Sequence, residues 1–245
     1  MVELYDSGNY VEIYGKIKNS FAEQRAKIIE SYIKSNKLNV NSYLDLASGT
    51  GLFLDIIQKN LQISNCVGLD FSEKMIRYAR TNFSNTKVKF VYGNMVDFDL
   101  KEKFDFISCN YDAINFLTNF NDWERTFKCV FNHLSEGGTF TFDFNTIKKM
   151  KIIKGGYLFK EEDDCDILQH VDNNKGLINL RYTIYNKKGE LYEKENTSLT
   201  EGVFENNSIL KALKNAGFKN IKFGDENFNK CNTRKALRLF VVCNK

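Results

Sequence analysis

A run of five small residues, Ala47-Ser48-Gly49-Thr50-Gly51, separates two apolar segments and could hold a ligand. Small side chains let a ligand reach the main chain, and the start of a following helix offers N–H groups without intrahelical partners. In open α/β sheets, ligands bind beyond the carboxyl ends of the parallel strands. The pattern therefore predicts a ligand-binding turn between a strand and a helix.

A carboxylate follows this turn at the spacing expected of a ribose-binding site. Asp70 closes the apolar run 66–70, about 20 residues beyond the turn, where a carboxylate accepts hydrogen bonds from ribose hydroxyls. The third glycine of the dinucleotide fingerprint is replaced by Leu54, and no Gly-Lys-Ser/Thr of a nucleoside triphosphate site follows. The turn therefore suits a ribose-bearing ligand that does not depend on a pyrophosphate, such as S-adenosylmethionine (SAM).

Strands and helices that alternate up to residue 150 must position these groups. We predict strands at 42–47, 66–70, 88–92, 104–109 and 139–144, and helices at 51–60, 72–83 and 121–134. Ser72 is the expected N-cap of one helix, and Asn121 with Glu124 matches a capping box at another. The alternation predicts an α/β fold with a Rossmann-like, seven-stranded, mostly parallel sheet and helices on both faces.

The pattern changes after residue 150. Residues 178–184 alternate between apolar and polar side chains, which is typical of a half-exposed strand. We predict a small antiparallel β insertion at 151–200, inside a domain formed by 1–150 and 201–245. Residues 1–40 are expected to be helical and to form a lid with the insertion. A helix that ends at Gly217 and two strands close the chain.

Composition excludes several classes of protein. The 245 residues carry a net charge of +4 without a basic tail, so charge gives little support to a nucleic-acid partner. The six cysteines form no C-x-x-C pair and only two histidines are present, so we expect no metal site. No apolar run reaches the length of about 18 residues that a membrane helix needs. We expect a reduced, cytoplasmic protein without a membrane partner.

Five motifs in order resemble class I SAM-dependent methyltransferases: DLASGTG, GLDFSEKMIRYAR, VYGNMVDF, KFDFISCNYDAINFL and LSEGGTFTFDFNT. The resemblance covers roughly residues 10–145 and the final two strands. It is strongest to small-molecule enzymes with an antiparallel insertion, among them bacterial amino-sugar N,N-dimethyltransferases and glycine N-methyltransferases. It implies SAM as the cofactor and direct in-line transfer of its methyl group to a small-molecule acceptor, an amine or a hydroxyl.

The resemblance also implies which residues contact the cofactor. The methionine part would contact Asp45 and the main chain of Ala47, Ser48, Gly49 and Gly51, and the ribose would contact Asp70. The adenine would contact Phe71, Asn94 and Met95, and the methyl group would lie beside Asn110.

Four side chains are candidates for the chemical step. Tyr111 follows the fourth strand beside the expected methyl group, and Tyr14 resembles a tyrosine in a helix that covers the site. Asp112, His170 or Tyr14 could accept the proton of an amine nucleophile. A lone histidine in a strand is more often a packed or surface residue, and Asp70 could simply cap the helix that follows it.

Other functions stay open at this point. The missing third glycine disfavours an NAD-dependent oxidoreductase. Enzymes that methylate DNA bases use proline-containing motifs and this chain has no proline, so we expect no DNA partner, whereas an RNA methyltransferase of another type remains. Ala47, Asn94 and Gly15 replace the family's usual residues, which keeps open a SAM-binding protein without activity. The acceptor, the methylated atom and a homodimer are also undecided.

Overall fold

The computed structural model describes residues 19–84, 86–162 and 165–245. Its helices are α1 (Asn19–Ser35), α2 (Leu52–Leu61), α3 (Glu73–Asn82), α4 (Phe120–His133), α5 (Ile147–Ile152) and α6 (Asn206–Ala216). Its strands are β1 (Ser42–Leu46), β2 (Asn65–Asp70), β3 (Val88–Tyr92), β4 (Phe104–Cys109), β5 (Leu134–Asn145), β6 (Gly156–Glu161), β7 (Cys165–Asn174), β8 (Leu177–Lys188), β9 (Leu191–Gly202), β10 (Lys219–Gly224) and β11 (Arg238–Asn244). A single 3-10 turn, Ala113–Phe116, follows β4.

Seven strands form the main sheet in the order β10-β11-β5-β4-β1-β2-β3. The pairs from β5 through β4, β1 and β2 to β3 are parallel, whereas β11 is antiparallel to both β5 and β10. This arrangement confirms the predicted Rossmann-like, mostly parallel sheet. The strand order reverses between β1 and β4, and crevices for ligands form at the carboxyl ends of strands at such a point.

Apolar side chains cover both faces of this sheet, because alternate residues of each buried strand point to opposite sides. On one face, Trp123 and Phe127 of α4 pack against Phe142 and Phe144 of β5. On the other face, α1 and α2 pack over Tyr43 and neighbouring strand residues. Among the helices described, none is both long and apolar enough to cross a membrane.

Capping residues in the sequence predicted the helix ends correctly, with one exception. Ser72 caps α3, where its side chain accepts a hydrogen bond from the N–H of Met75, and Gly217 ends α6 in the left-handed conformation, as predicted. The capping box at Asn121 is wrong, because the helix already begins at Phe120 and Asn119 is its N-cap. The asparagine two residues earlier therefore satisfies the first N–H groups of the helix.

Strands β6 to β9 form a separate antiparallel sheet in that order, across residues 156–202. One face of this sheet carries Cys165, Ile184 and Leu199, which pack on Met75 of α3. The tips of the sheet are exposed, as at Leu191. The small antiparallel sheet that the sequence predicted is therefore present, and it sits against the helix that follows β2.

Candidate functional site

The turn after β1 is joined to the end of β2 by one carboxylate. Ala47 and Gly49 both have positive φ angles, +55° and +54°, so the chain reverses tightly here. The N–H of Gly49 donates to Asp70 Oδ2 at 2.7 Å, and the N–H of Ser72 donates to Asp70 Oδ1 at 2.9 Å. Since Ser72 itself is the N-cap of α3, Asp70 does more than cap a helix. It fixes the turn.

A cavity of about 440 Å³ opens at the carboxyl ends of β1 to β4. Its volume lies in the usual range for small-molecule sites. The structure brings eight of the predicted site residues to its wall: Ala47, Gly49, Asp70, Phe71, Asn94, Met95, Asn110 and Tyr111. Apolar side chains complete the wall, among them Leu69, Met75 and Phe116. A carboxylate, an amide and apolar surface thus face one space.

One end of this cavity offers flat aromatic surface. The Phe71 ring is 44% exposed and stacks on Tyr92, with ring centroids 5.8 Å apart. Asn94 Oδ1 accepts a hydrogen bond from the N–H of Val96 at 3.0 Å, which fixes the loop after β3. The rim also holds Arg125, 3.5 Å from Asp97. Sequence reasoning missed this rim, because an exposed charged pair has no distinctive local pattern.

The other end of the site is a second, smaller cavity of about 40 Å³ between α1 and the turn. Asp45 and Ser48 line it, and it shares Asn110 and Tyr111 with the larger cavity. Asp45 Oδ1 accepts hydrogen bonds from Ser108 Oγ at 2.5 Å and from Asn110 Nδ2 at 3.2 Å. Burial raises the pKa of Asp45 to about 7, although these two hydrogen bonds act in the opposite direction.

Asn110 is oriented by a buried arginine of α1. Arg25 Nε donates to Asn110 Oδ1 at 3.0 Å, so the Asn110 amide nitrogen faces Asp45. The Arg25 side chain is 4% exposed and its guanidinium lies 4.8 Å from the ring centroid of Phe240. Burial lowers the pKa of Arg25. No local pattern predicts this contact, since it joins residues 85 positions apart.

The chain leaves β4 through Tyr111 and Asp112, which belong to a polar network. Asp112 Oδ1 lies 2.8 Å from Arg238 Nη2, and Asp112 Oδ2 accepts from Asn145 Nδ2 at 2.5 Å. The same Asn145 nitrogen donates to Glu201 Oε2 at 2.7 Å. Burial, and next the charge of Asp112, raise the pKa of Glu201 to about 7. Burial likewise raises the pKa of Asp112, against the effect of Arg238.

Among the predicted site residues that the structure describes, Gly51, Asp112 and His170 do not line either cavity. Tyr14 lies outside the described residues. His170 lies on the face of β7 opposite the one that packs on α3, where its ring is 4.5 Å from that of Tyr157 and Arg181 Nη2 is 2.7 Å from its Nδ1. Gly51 is the N-cap of α2, lies against Phe90 and is not among the residues that line the two cavities.

Comparison with known proteins agrees with this geometry. Residues 44–138, which hold the turn, Asp70 and the end of β4, match the family model described as a methyltransferase domain. A solved SAM-dependent methyltransferase from Clostridium acetobutylicum ATCC 824 is 25% identical and superposes with a TM-score of 0.83, over 96% of this chain and 97% of that one. The chain therefore carries a SAM-dependent methyltransferase domain.

Curated relatives of this methyltransferase point the same way. A Bacillus subtilis (strain 168) protein that carries the provisional name of methyltransferase YqeM is 26% identical over 185 residues, 72% of each chain. The dTDP-4-amino-2,3,4,6-tetradeoxy-D-glucose N,N-dimethyltransferase of Saccharopolyspora spinosa is 25% identical over 136 residues, 54% of this chain and 53% of its own. The predicted resemblance to SAM-dependent methyltransferases, including amino-sugar enzymes, is confirmed.

The residues of the methyltransferase site fit the cofactor SAM. A carboxylate suits the ribose, an exposed aromatic ring suits the adenine, and the buried carboxylate of Asp45 suits the cationic amine of the methionine part. In the described ranges, no cluster of three metal-ligating side chains is present that could hold a metal ion. The two cavities together thus match the three chemically distinct parts of SAM.

Proposed function

We propose that this methyltransferase transfers the methyl group of SAM to an amine of a small molecule, with an amino sugar as the first acceptor class to test. The observation that carries the proposal is the single cavity shared by the glycine turn, Asp70 and the Asn110–Tyr111 segment. The relative from Saccharopolyspora spinosa is named for N,N-dimethylation of an amino sugar, which supports this acceptor class.

In this proposal the residues of the site divide the cofactor among them. Asp70 accepts hydrogen bonds from the ribose hydroxyls, Asn94 and Phe71 meet the adenine, and Asp45 faces the methionine amine. When bound, SAM supplies an electrophilic methyl group on a sulfonium. The role of the protein is then to align the acceptor with that group and to exclude water, and such alignment can contribute several kcal/mol, on the order of 7–11 in the best intramolecular cases.

The antiparallel sheet is proposed to cover the acceptor. Met75 and Phe116 line the cofactor cavity, and both also contact this sheet. The sheet therefore lies directly behind one wall of the cavity. We infer that the β insertion closes the acceptor side of the site and selects the substrate.

The Asp112–Glu201 pair is the proposed destination of the proton that an ammonium acceptor must lose. The network holds three carboxylates, those of Asp112, Asp143 and Glu201, and two cations, Arg238 and Lys149. It therefore carries one excess negative charge when all the groups are ionised. The raised pKa of Glu201, about 7, allows this pair to hold a proton near neutral pH.

Calorimetric titration with SAM, S-adenosylhomocysteine (SAH) and NAD tests the proposal. We expect binding of SAM and SAH and no binding of NAD, followed by methylation of dTDP-linked amino sugars in an acceptor screen read by mass spectrometry. Binding of NAD without SAM would contradict the cofactor assignment. A protein that binds SAM but methylates hydroxyl acceptors alone would contradict the amine assignment.

A further inference from the structure

Two consecutive residues leave β4 in the left-handed region of backbone conformation. Tyr111 has φ +61° and Asp112 has φ +51°. Residues other than glycine adopt this region only at a cost in free energy, above all bulky ones such as tyrosine. Non-glycine residues in such conformations persist only where the surroundings enforce them, and they cluster at functional sites.

One carboxylate accepts hydrogen bonds from both main-chain N–H groups of this turn. The N–H of Tyr111 donates to Asp143 Oδ1 at 2.9 Å, and the N–H of Asp112 donates to Asp143 Oδ2 at 2.8 Å. Asp143 lies on β5, beside β4, and is 1% exposed. Its two oxygens thus fit the two N–H groups of this turn. An amide in its place would offer only one oxygen, because its nitrogen is a donor.

Asp143 is in turn fixed by β11. Arg238 Nε donates to Asp143 Oδ2 at 2.6 Å, while Arg238 Nη2 lies 2.8 Å from Asp112 Oδ1. The Arg238 guanidinium therefore contacts both Asp143, which binds the main chain of the turn, and the side chain of Asp112. Asp143 and Arg238 lie on two paired strands of the main sheet. The position of the turn is therefore set by a rigid part of the fold.

We propose that Asp143 is a positioning residue that sets the Asn110–Tyr111 wall of the cofactor site. Asn110 and Tyr111 line both the larger and the smaller cavity, whereas Asp143 acts behind them. Without the carboxylate, Tyr111 and Asp112 relax toward an ordinary backbone conformation and the wall moves. This inference rests on the proposed function, since it concerns the same cofactor site.

The variant Asp143→Asn tests the inference through cofactor binding. We expect its affinity for SAM and SAH, measured by calorimetry, to fall about tenfold, because a buried N–H that loses its acceptor destabilises the binding geometry. The carbon-13 resonance of a labelled SAM methyl group is expected to shift in the bound state. Thermal melting is recorded separately, so that affinities are compared well below the midpoint of each protein.

Asp105→Asn is a matched control at the amino end of β4, opposite the carboxyl end where Asp143 binds the turn. Asp105 Oδ2 accepts hydrogen bonds from the N–H groups of Asn41 at 2.9 Å and Ser42 at 3.0 Å. This variant also loses a carboxylate that holds two N–H groups, but it lies at the amino end of β4. We expect its SAM affinity to stay within about twofold of wild type, since distant sites are independent.

The double variant Asp112→Gly/Asp143→Asn separates the effect of Asp143 on the backbone of the turn from other effects of its charge. Glycine adopts a positive φ without strain. In an Asp112→Gly background, Asp143→Asn should therefore reduce SAM affinity less than it does in wild type. An additive double-variant cycle would contradict the role in holding the left-handed turn.

The outcomes distinguish this inference from the proposed function. If wild-type protein binds SAM and the Asp143→Asn variant binds it equally well, the inference is overturned and the proposed function is not. An equal loss of affinity in Asp105→Asn assigns the effect to general destabilisation and also overturns it. Wild-type protein that binds neither SAM nor SAH overturns the proposed function, and the inference falls with it.

Discussion

The main-chain N–H of Gly49 donates to Asp70 Oδ2 at 2.7 Å, so the turn after β1 and the end of β2 form one unit. The second oxygen of Asp70 accepts from the N–H of Ser72 at 2.9 Å. The same side chain shapes the turn and faces the cavity.

Replacement of Asp70 should weaken cofactor binding in two steps. Asp70→Ala removes the acceptors for the turn and for the ribose, and we expect about a 100-fold loss of affinity for SAM and SAH. Asp70→Asn keeps one oxygen, and we expect a loss of about tenfold. Calorimetry measures both constants.

Asp225→Ala is the control for this pair of variants. Asp225 Oδ1 accepts hydrogen bonds from the N–H groups of Asn227 at 3.0 Å and Asn229 at 2.9 Å, in the connection between β10 and β11. The Asp225→Ala variant thus removes a turn-forming carboxylate that is not part of the cofactor cavity, and its SAM affinity should stay within about twofold of wild type. A similar loss in both alanine variants would mean that Asp70 acts only on the turn.

Local sequence signals predicted the elements that carry the cofactor. The Gly49 turn, Asp70 and the end of β4 each follow an apolar strand, and side chains at the carboxyl ends of parallel strands meet at one edge of the sheet. Short-range patterns of this kind depend on residues a few positions apart. They therefore predicted the main sheet and most of the cavity wall.

Contacts between distant parts of the chain were missed. Arg25 reaches Asn110 across 85 positions, Arg238 reaches Asp143 across 95, and Asn145 reaches Glu201 across 56. Arg25, Arg238 and Glu201 lie outside the five motifs, so no local spacing predicts these contacts. Their roles follow only from the way that α1, β11 and the antiparallel sheet dock on the carboxyl end of the main sheet.

Cofactor binding should release protons near neutral pH through Asp45. Burial raises the pKa of Asp45 from its ordinary value of 3.8 to about 7. A cationic amine in the smaller cavity favours the ionised carboxylate, so its pKa falls when SAM binds. SAM affinity should therefore rise between pH 6 and pH 8.

Calorimetry in buffers with different ionisation enthalpies measures this proton release. The apparent binding enthalpy at pH 7 should depend on the buffer for wild type and not for Asp45→Asn. A wild-type enthalpy that is independent of the buffer would contradict a protonated Asp45 in the cofactor-free protein.

Glu201 should make the protein less stable as pH rises. Its pKa is raised from the ordinary 4.5 to about 7, so between these values the folded protein binds a proton that the unfolded chain does not. The free energy of unfolding therefore falls as pH increases through this window. The raised pKa values of Asp112 and Asp45 act in the same direction.

Urea denaturation at pH 5 and pH 8 tests the contribution of Glu201. Glu201→Gln keeps an oxygen that can accept a hydrogen bond from Asn145, but the glutamine side chain cannot ionise. The difference in the free energy of unfolding between the two pH values should therefore shrink. Glu193→Gln, on the exposed part of the same strand, should leave that difference as in wild type. An unchanged difference in Glu201→Gln would mean that Glu201 is ionised throughout in the folded protein.

Gly51 and Gly176 have nearly the same φ angle, +84° and +83°, in different surroundings. A Cβ atom at Gly51 would lie 2.5 Å from Phe90 Cζ, whereas nothing lies within 4 Å of one at Gly176. We expect Gly176→Ala to lower the free energy of unfolding by about 1 kcal/mol, from the backbone alone. Gly51→Ala should lower it by about 3 kcal/mol, because the contact with Phe90 adds to the backbone strain. Urea denaturation measures both losses, and equal losses would mean that Phe90 moves aside freely and that Gly51 is needed only for its φ angle.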